Sequence, residues 1–309
     1  MTLDAAWNQC QAIIDDLWSG AISVLRPKER SIISEVPVGL LPINAVIVET
    51  WYHPQGLRCV VVSEGVWHFL STMSRLLLEW QTGLPTELPV QTPKPDMSLA
   101  ERITACALAF AVPDWCTTGY IPGGPDEVGH KILAAQMFRI QLLFLLCHEI
   151  SHLLCAHDKA DQEYERRYGG RAPCDVYWLA GKQHQELQAD FAGSVLCMSV
   201  VRSWNDELLA SLCLGAILAF FHELEFVERI SYWRELVEAR GKLELYLIED
   251  HPPALARRNS LLRTLGFVLN DFGKAIDYFS KLCLDEVVNK IDCGDLKLEN
   301  VLQYLCDPS

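Results

Sequence analysis

The sequence predicts an α+β fold, mostly helical, from three observations. β-Branched runs are confined to residues 44–50 (NAVIVET) and 57–63 (LRCVVVS). Beyond residue 129, Gly and Pro thin out except near 169–173 and 251–253, which leaves long stretches free to be helical. Half of the residues are hydrophobic and 21% are charged, so the chain can bury a sizeable core.

In order, residues 1–25 set Trp7, Ile13, Ile14, Leu17 and Trp18 among polar positions, the pattern of an amphipathic helix. The two β-branched runs flank Tyr52-His53-Pro54-Gln55-Gly56, a turn-rich stretch, and predict a hairpin. Residues 65–82 read as helix. Pro85, Pro89, Pro93 and Pro95 mark 83–98 as a linker or extended loop. A second irregular stretch, 113–129, holds Gly119, Pro122, Gly123, Gly124 and Pro125. Helices follow to the end, with no internal repeat. A single domain over 1–309 is expected: an N-terminal helical segment to 43, a core over 44–258 and a helical extension over 259–309.

Composition excludes some functions. The formal net charge is −14, against the basic surface that nucleic acid requires. Met-Thr-Leu-Asp opens the chain without a basic run ahead of an apolar stretch, so no signal peptide is expected and the localisation predicted is cytoplasmic. The 12 cysteines form no CxxC pair; Cys147, Cys155, Cys197 and Cys213 sit in apolar runs and read as reduced, mostly buried thiols. The longest apolar run, Leu208 to Phe221, has 14 residues. A spanning helix needs about 20, so a core helix is expected, with peripheral membrane contact left open.

The chemistry concentrates at His148-Glu149-Ile150-Ser151-His152. No Gly or Pro interrupts 131–157, so the five residues are expected on a helix, where positions four apart share a face. His148 and His152 can then hold one zinc ion. Glu149, one step round, is placed to activate a water in the open coordination position. An HExxH string arises by chance in about 2% of chains of this length and composition, so the motif needs support elsewhere. A catalytic site requires a third protein ligand. Residues 186–193 read Glu-Leu-Gln-Ala-Asp-Phe-Ala-Gly in another helix-like stretch. Glu186 is the expected ligand. Asp190, one turn on, can accept from a ligand imidazole and fix its tautomer. Ala189 and Ala192 would allow close packing on the histidine helix. His53, His68, His130, His184 and His222 lack partners at ligand spacing and read as structural or surface residues.

HExxH followed by ExxAD resembles the gluzincin metallopeptidases. Three groups share it: the HtpX-like and prenyl-protein (CAAX) endopeptidases, the repressor-cleaving ImmA/IrrE-type peptidases, and the phage-exclusion peptidase Lit. The resemblance covers about 44–258. His157, five residues after His152, and His251-Pro-Pro-Ala-Leu-Ala-Arg257 are similar to the HtpX-like group. By that match His251 would be a transition-state donor and Arg257 would brace the glutamate helix. Asn44-Ala45 would open a substrate-binding strand. Against that group, its membrane helices are missing, 34 positions separate His152 from Glu186, nearer the ImmA/IrrE type, and the glycine usual between Glu149 and His152 is lacking. The metzincins differ more: Cys155 stands where their glycine would be, and Asp158 where their third histidine would be.

The resemblance implies a zincin-like core with a small N-terminal sheet on the active-site helices, one Zn²⁺ per chain, and hydrolysis of an intracellular protein or peptide. A regulatory or phage-defence role follows only by association. The rival is a catalytically silent module that keeps zinc or a partner on a zincin scaffold. Glu149 speaks against it, because closed structural zinc sites have no use for a general base.

Overall fold

A computed structural model describes residues 3–43, 48–53, 55–82, 97–111, 128–155, 175–238, 252–298 and 300–301. The described part is mostly helical with one three-stranded sheet, an α+β fold. Helix α1 (Leu3–Ser23) buries Ile14, Leu17, Trp18 and Ala21, a stripe at helical spacing that matches the amphipathic pattern. Helix α2 (Pro27–Ile33) starts on a proline whose fixed φ suits the first turn.

The sheet comprises β1 (Val38–Leu41), β2 (Val48–Tyr52) and β3 (Arg58–Ser63) in the order β1-β3-β2. Strands β2 and β3 form the expected antiparallel hairpin, Thr50 opposite Val60. Gly56, at φ 83°, closes its turn by donating its N–H to the His53 carbonyl at 2.8 Å. The first β-branched run starts at residue 44, but 44–47, with Asn44-Ala45, lie outside the described residues. Strand β1 runs parallel to β3 and is not anticipated by the sequence reading, which assigns 1–43 to helix. Four residues, one a glycine, carry too little alternation to signal a strand; pairing with buried Val60, Val61 and Val62 makes it one.

Helix α3 (Glu64–Thr82) follows at once, as predicted. Helix α4 (Leu99–Ala111) begins in a capping box: the Ser98 N–H donates to Glu101 at 2.7 Å, and the Glu101 N–H to Ser98 Oγ at 3.3 Å. Further helices among the described residues are α5 (Val128–Cys155), α6 (Asp175–Ser203), α7 (Glu207–Glu238), α8 (Ala254–Leu265) and α9 (Asp271–Asp292). Most of the two irregular stretches predicted between α3 and α5 lies outside the described residues.

Helices α5 and α7 form the centre, with Phe144, Phe221 and Phe226 fully enclosed. Both are long and apolar enough to cross a membrane by length and composition. Within the fold, 72% of each apolar window is buried, as in core helices. Helix α9 crosses α7 at Gly215 and Gly273; a Cβ on Gly215 would lie 2.6 Å from the Gly273 carbonyl oxygen, so the crossing needs glycine. Of the cysteines named above, Cys147, Cys197 and Cys213 are buried, while Cys155 is exposed at the end of α5. The apolar run that holds Cys155 ends there, so the helix no longer covers it.

Candidate metal centre

Helix α5 carries the histidines and α6 the carboxylates, and the two pack side by side. At Gly193 the two backbones come so near that a Cβ would stand 2.9 Å from the backbone of His148. Close packing therefore depends on Gly193, with Ala189 buried beside it, whereas Ala192 is only half-buried. Ala192, three residues after Ala189 and next to Gly193, lies on the flank of that seam and is covered only in part.

Across this seam the predicted ligands converge. His148 Nε2 and His152 Nε2 are 3.0 Å apart. Glu186 Oε2 lies 3.4 Å from His148 Nε2, and Glu186 Oε1 lies 3.3 Å from His152 Nε2. The three side chains form a group that could hold a metal ion, with ligand atoms all within 4.8 Å of one another.

Asp190 stands behind His148, its Oδ1 3.0 Å from Nδ1 though off the line of a full hydrogen bond. With Nδ1 facing Asp190, Nε2 is the nitrogen turned to the other donors. Arg257, from the first turn of α8, grips Asp190 with both arms: Nε donates to Oδ2 at 2.8 Å and Nη2 to Oδ1 at 2.6 Å. Nη2 also lies 3.6 Å from Glu186 Oε2, so Arg257 braces both carboxylates of α6. Its guanidinium sits over the Phe221 ring, 5.4 Å from the centroid. Helix α8 is itself anchored at both sides: Glu228 accepts from the Ala254 N–H at 2.9 Å, and Arg258 pairs with Asp277 of α9 at 2.6 Å. Asp277 also meets His222 at 3.0 Å.

Charge bears on whether a cation fits. Glu149, Glu186 and Asp190 are buried carboxylates, and Arg257 is the fixed cation among them. Burial disfavours a charged His148, but Asp190 and Glu186 outweigh it and push the imidazole up to about 9. Burial likewise works against ionised Asp190, but Arg257, with His148, holds it below the usual carboxylate range. Two imidazoles and a carboxylate in a buried site of net negative charge suit a divalent metal of zinc type. Replacing Asp190 with Asn should weaken metal binding by roughly 10–100-fold, read by competitive zinc titration. Thermal stability should fall with it, because Arg257 loses its charged partner; unchanged affinity would count against the role given to Asp190.

Glu149 is 7% exposed. Burial raises its carboxyl above the usual range, against the pull of His148, His152 and a hydrogen bond from Thr50. The Thr50 hydroxyl donates to Glu149 Oε2 at 2.8 Å, from edge strand β2. Thr50 and Gly193 are the two site residues that sequence reasoning missed. Gly193 had a readable signal, a small residue one turn after Ala189; a lone threonine in a strand has none.

The other histidines fall where expected: His53, His68 and His184 are exposed, His130 is half-buried, and His222 is buried against Asp277. His251 and His157 lie outside the described residues, although Pro252, Pro253 and Arg257 of the same segment are described. No family model matches the chain, and no curated protein or solved structure is significantly similar to it.

Proposed function

We propose that the chain is a zinc-dependent endopeptidase with a zincin-like core, acting on a protein or peptide. The observation that supports this most is the convergence of His148, His152 and Glu186 on one point, with Glu149 on the same helix and Asp190 behind His148. His148, His152 and Glu186 would hold the ion. Zinc, when bound, supplies a Lewis acid that acidifies water and polarises the scissile carbonyl.

The chain's own groups do the rest. Glu149 takes the proton from the attacking water as its oxygen bonds to the carbonyl carbon, then gives that proton to the amine nitrogen as the C–N bond breaks. Burial, which raises its proton affinity, suits both halves of that task. Asp190 keeps His148 presenting Nε2, and Arg257 keeps Asp190 and Glu186 in place. An extended segment of substrate can join β2 by main-chain hydrogen bonds, since β3 occupies one side of β2 and no strand among the described residues occupies the other.

The test is metal content. Purified protein should hold one Zn²⁺ per chain by elemental analysis, and the double variant His148→Ala/His152→Ala should hold none. Zinc unchanged in that variant would overturn the ligand assignment and the reading built on it.

A further inference from the structure

We propose that Thr50 is a positioning residue for Glu149: its hydroxyl fixes the rotation of the base, so the strand that would align substrate also aligns the group that activates water. This rests on the hydrolase reading above and goes beyond it by giving a role to a side chain outside the HExxH and ExxAD motifs.

Strand β2 alternates, with Val48 and Thr50 half-buried and Glu49 and Trp51 exposed, which turns Thr50 towards α5. Threonine is common in strands for its shape alone, and its hydroxyl then bonds to nearby backbone or to water. Here the hydroxyl reaches a carboxylate 99 residues away, at 2.8 Å. A hydroxyl has one proton to give, and Thr50 gives it to Glu149 Oε2.

That bond matters because a glutamate side chain turns about three bonds, of which α5 itself fixes only the root. A β-branched donor on a paired strand is stiff at χ1 and stands still. Thr50 is pinned in turn by its register against Val60, which is 0% exposed. With Oε2 tied to the strand, the carboxylate presents Oε1 in one orientation. Movement of β2 on binding an extended segment would pass directly to the base.

The test uses the zinc-loaded full-length protein and acetohydroxamic acid, a small chelator whose binding in such a site requires a proton to be accepted by the base. Binding is measured by calorimetry, beside zinc content and melting temperature, for the parent, Thr50→Val, Thr50→Ser and Glu149→Gln. Thr50→Val keeps the branched shape and removes the proton, so the carboxylate must be ordered on binding; hydroxamate should bind about 3–10-fold more weakly, the scale of immobilising one side chain, with zinc content unchanged. Thr50→Ser restores the hydroxyl and should return binding to within about 2-fold of the parent, and Glu149→Gln should lose most of it. Thr50→Ala takes the place of Thr50→Val if the latter does not fold. Parent-like binding by the hydroxyl-free variant, loss of zinc in it, or failure of Thr50→Ser to rescue would each overturn the role of Thr50. A parent protein that holds no zinc, or holds zinc and ignores the hydroxamate while Glu149→Gln behaves identically, overturns the hydrolase reading itself.

Discussion

Glu149→Gln protein should retain one zinc per chain and melt no lower than the parent, while turnover falls by about 10²–10⁴, the contribution of a positioned general base. Glutamine matches glutamate in size, and its amide oxygen can still accept from Thr50, which now donates to Oε2. The metal ligands are untouched. Stability should not suffer, because burial already penalises the ionised carboxylate and an amide carries no such cost. Only basicity is removed. Elemental analysis and a melting curve check the first two statements. For the third, proteins cleaved in cells expressing the parent are compared with those in cells expressing Glu149→Gln, and kcat is then measured on the substrate so found. Identical cleavage patterns from the two, with both proteins folded and zinc-loaded, would remove Glu149 from catalysis.

The site was legible to the extent that its chemistry is local in sequence. His148 and His152 are four apart on an uninterrupted helix, and Glu186 and Asp190 repeat that spacing on another; helical geometry then dictates two faces that can meet. Arg257 was reachable only through the resemblance, because nothing in the string Ala-Leu-Ala-Arg says which carboxylate the arginine will find. Thr50 was not reachable at all: its partner is 99 residues away, and the pairing exists only once β2 lies on α5. The fold divides in the same way. Helices α1 and α3 and the β2–β3 hairpin follow from period and turn residues. Strand β1 owes its existence to β3, a tertiary partner that no local pattern reveals.

A buried carboxylate outside the metal centre carries the second large expected effect. Glu223, on α7, is 0% exposed. Gln141 of α5 donates its side-chain N–H to Glu223 Oε1 at 2.8 Å, and Ser74 of α3 donates to Gln141 Oε1 at 3.3 Å. Glu223 Oε2 has no hydrogen-bond partner among the described residues. Burial outweighs the Gln141 hydrogen bond and pushes the carboxyl up to about 8 from its ordinary 4.5. Between those two values the folded chain holds a proton that the unfolded chain releases. The stability contributed by Glu223 is therefore fully present below about pH 4.5 and is lost as pH rises through about 8, beyond which the loss is complete. Glu223→Gln copies the shape of the protonated acid and cannot ionise, so it should remove that slope. Melting curves from pH 5 to 9 should show the variant close to the parent at the acid end and pulling ahead as pH rises. The gap at pH 9 should be on the order of a few kcal/mol, or roughly 5–10 °C. His148, pushed up to about 9, also titrates at the alkaline end of this range, but it is common to both proteins and cancels in the difference. A difference that stays constant with pH would show that Glu223 folds with the same proton occupancy as the unfolded chain, and the Gln141–Ser74 relay would then be bonding an ionised carboxylate in the core.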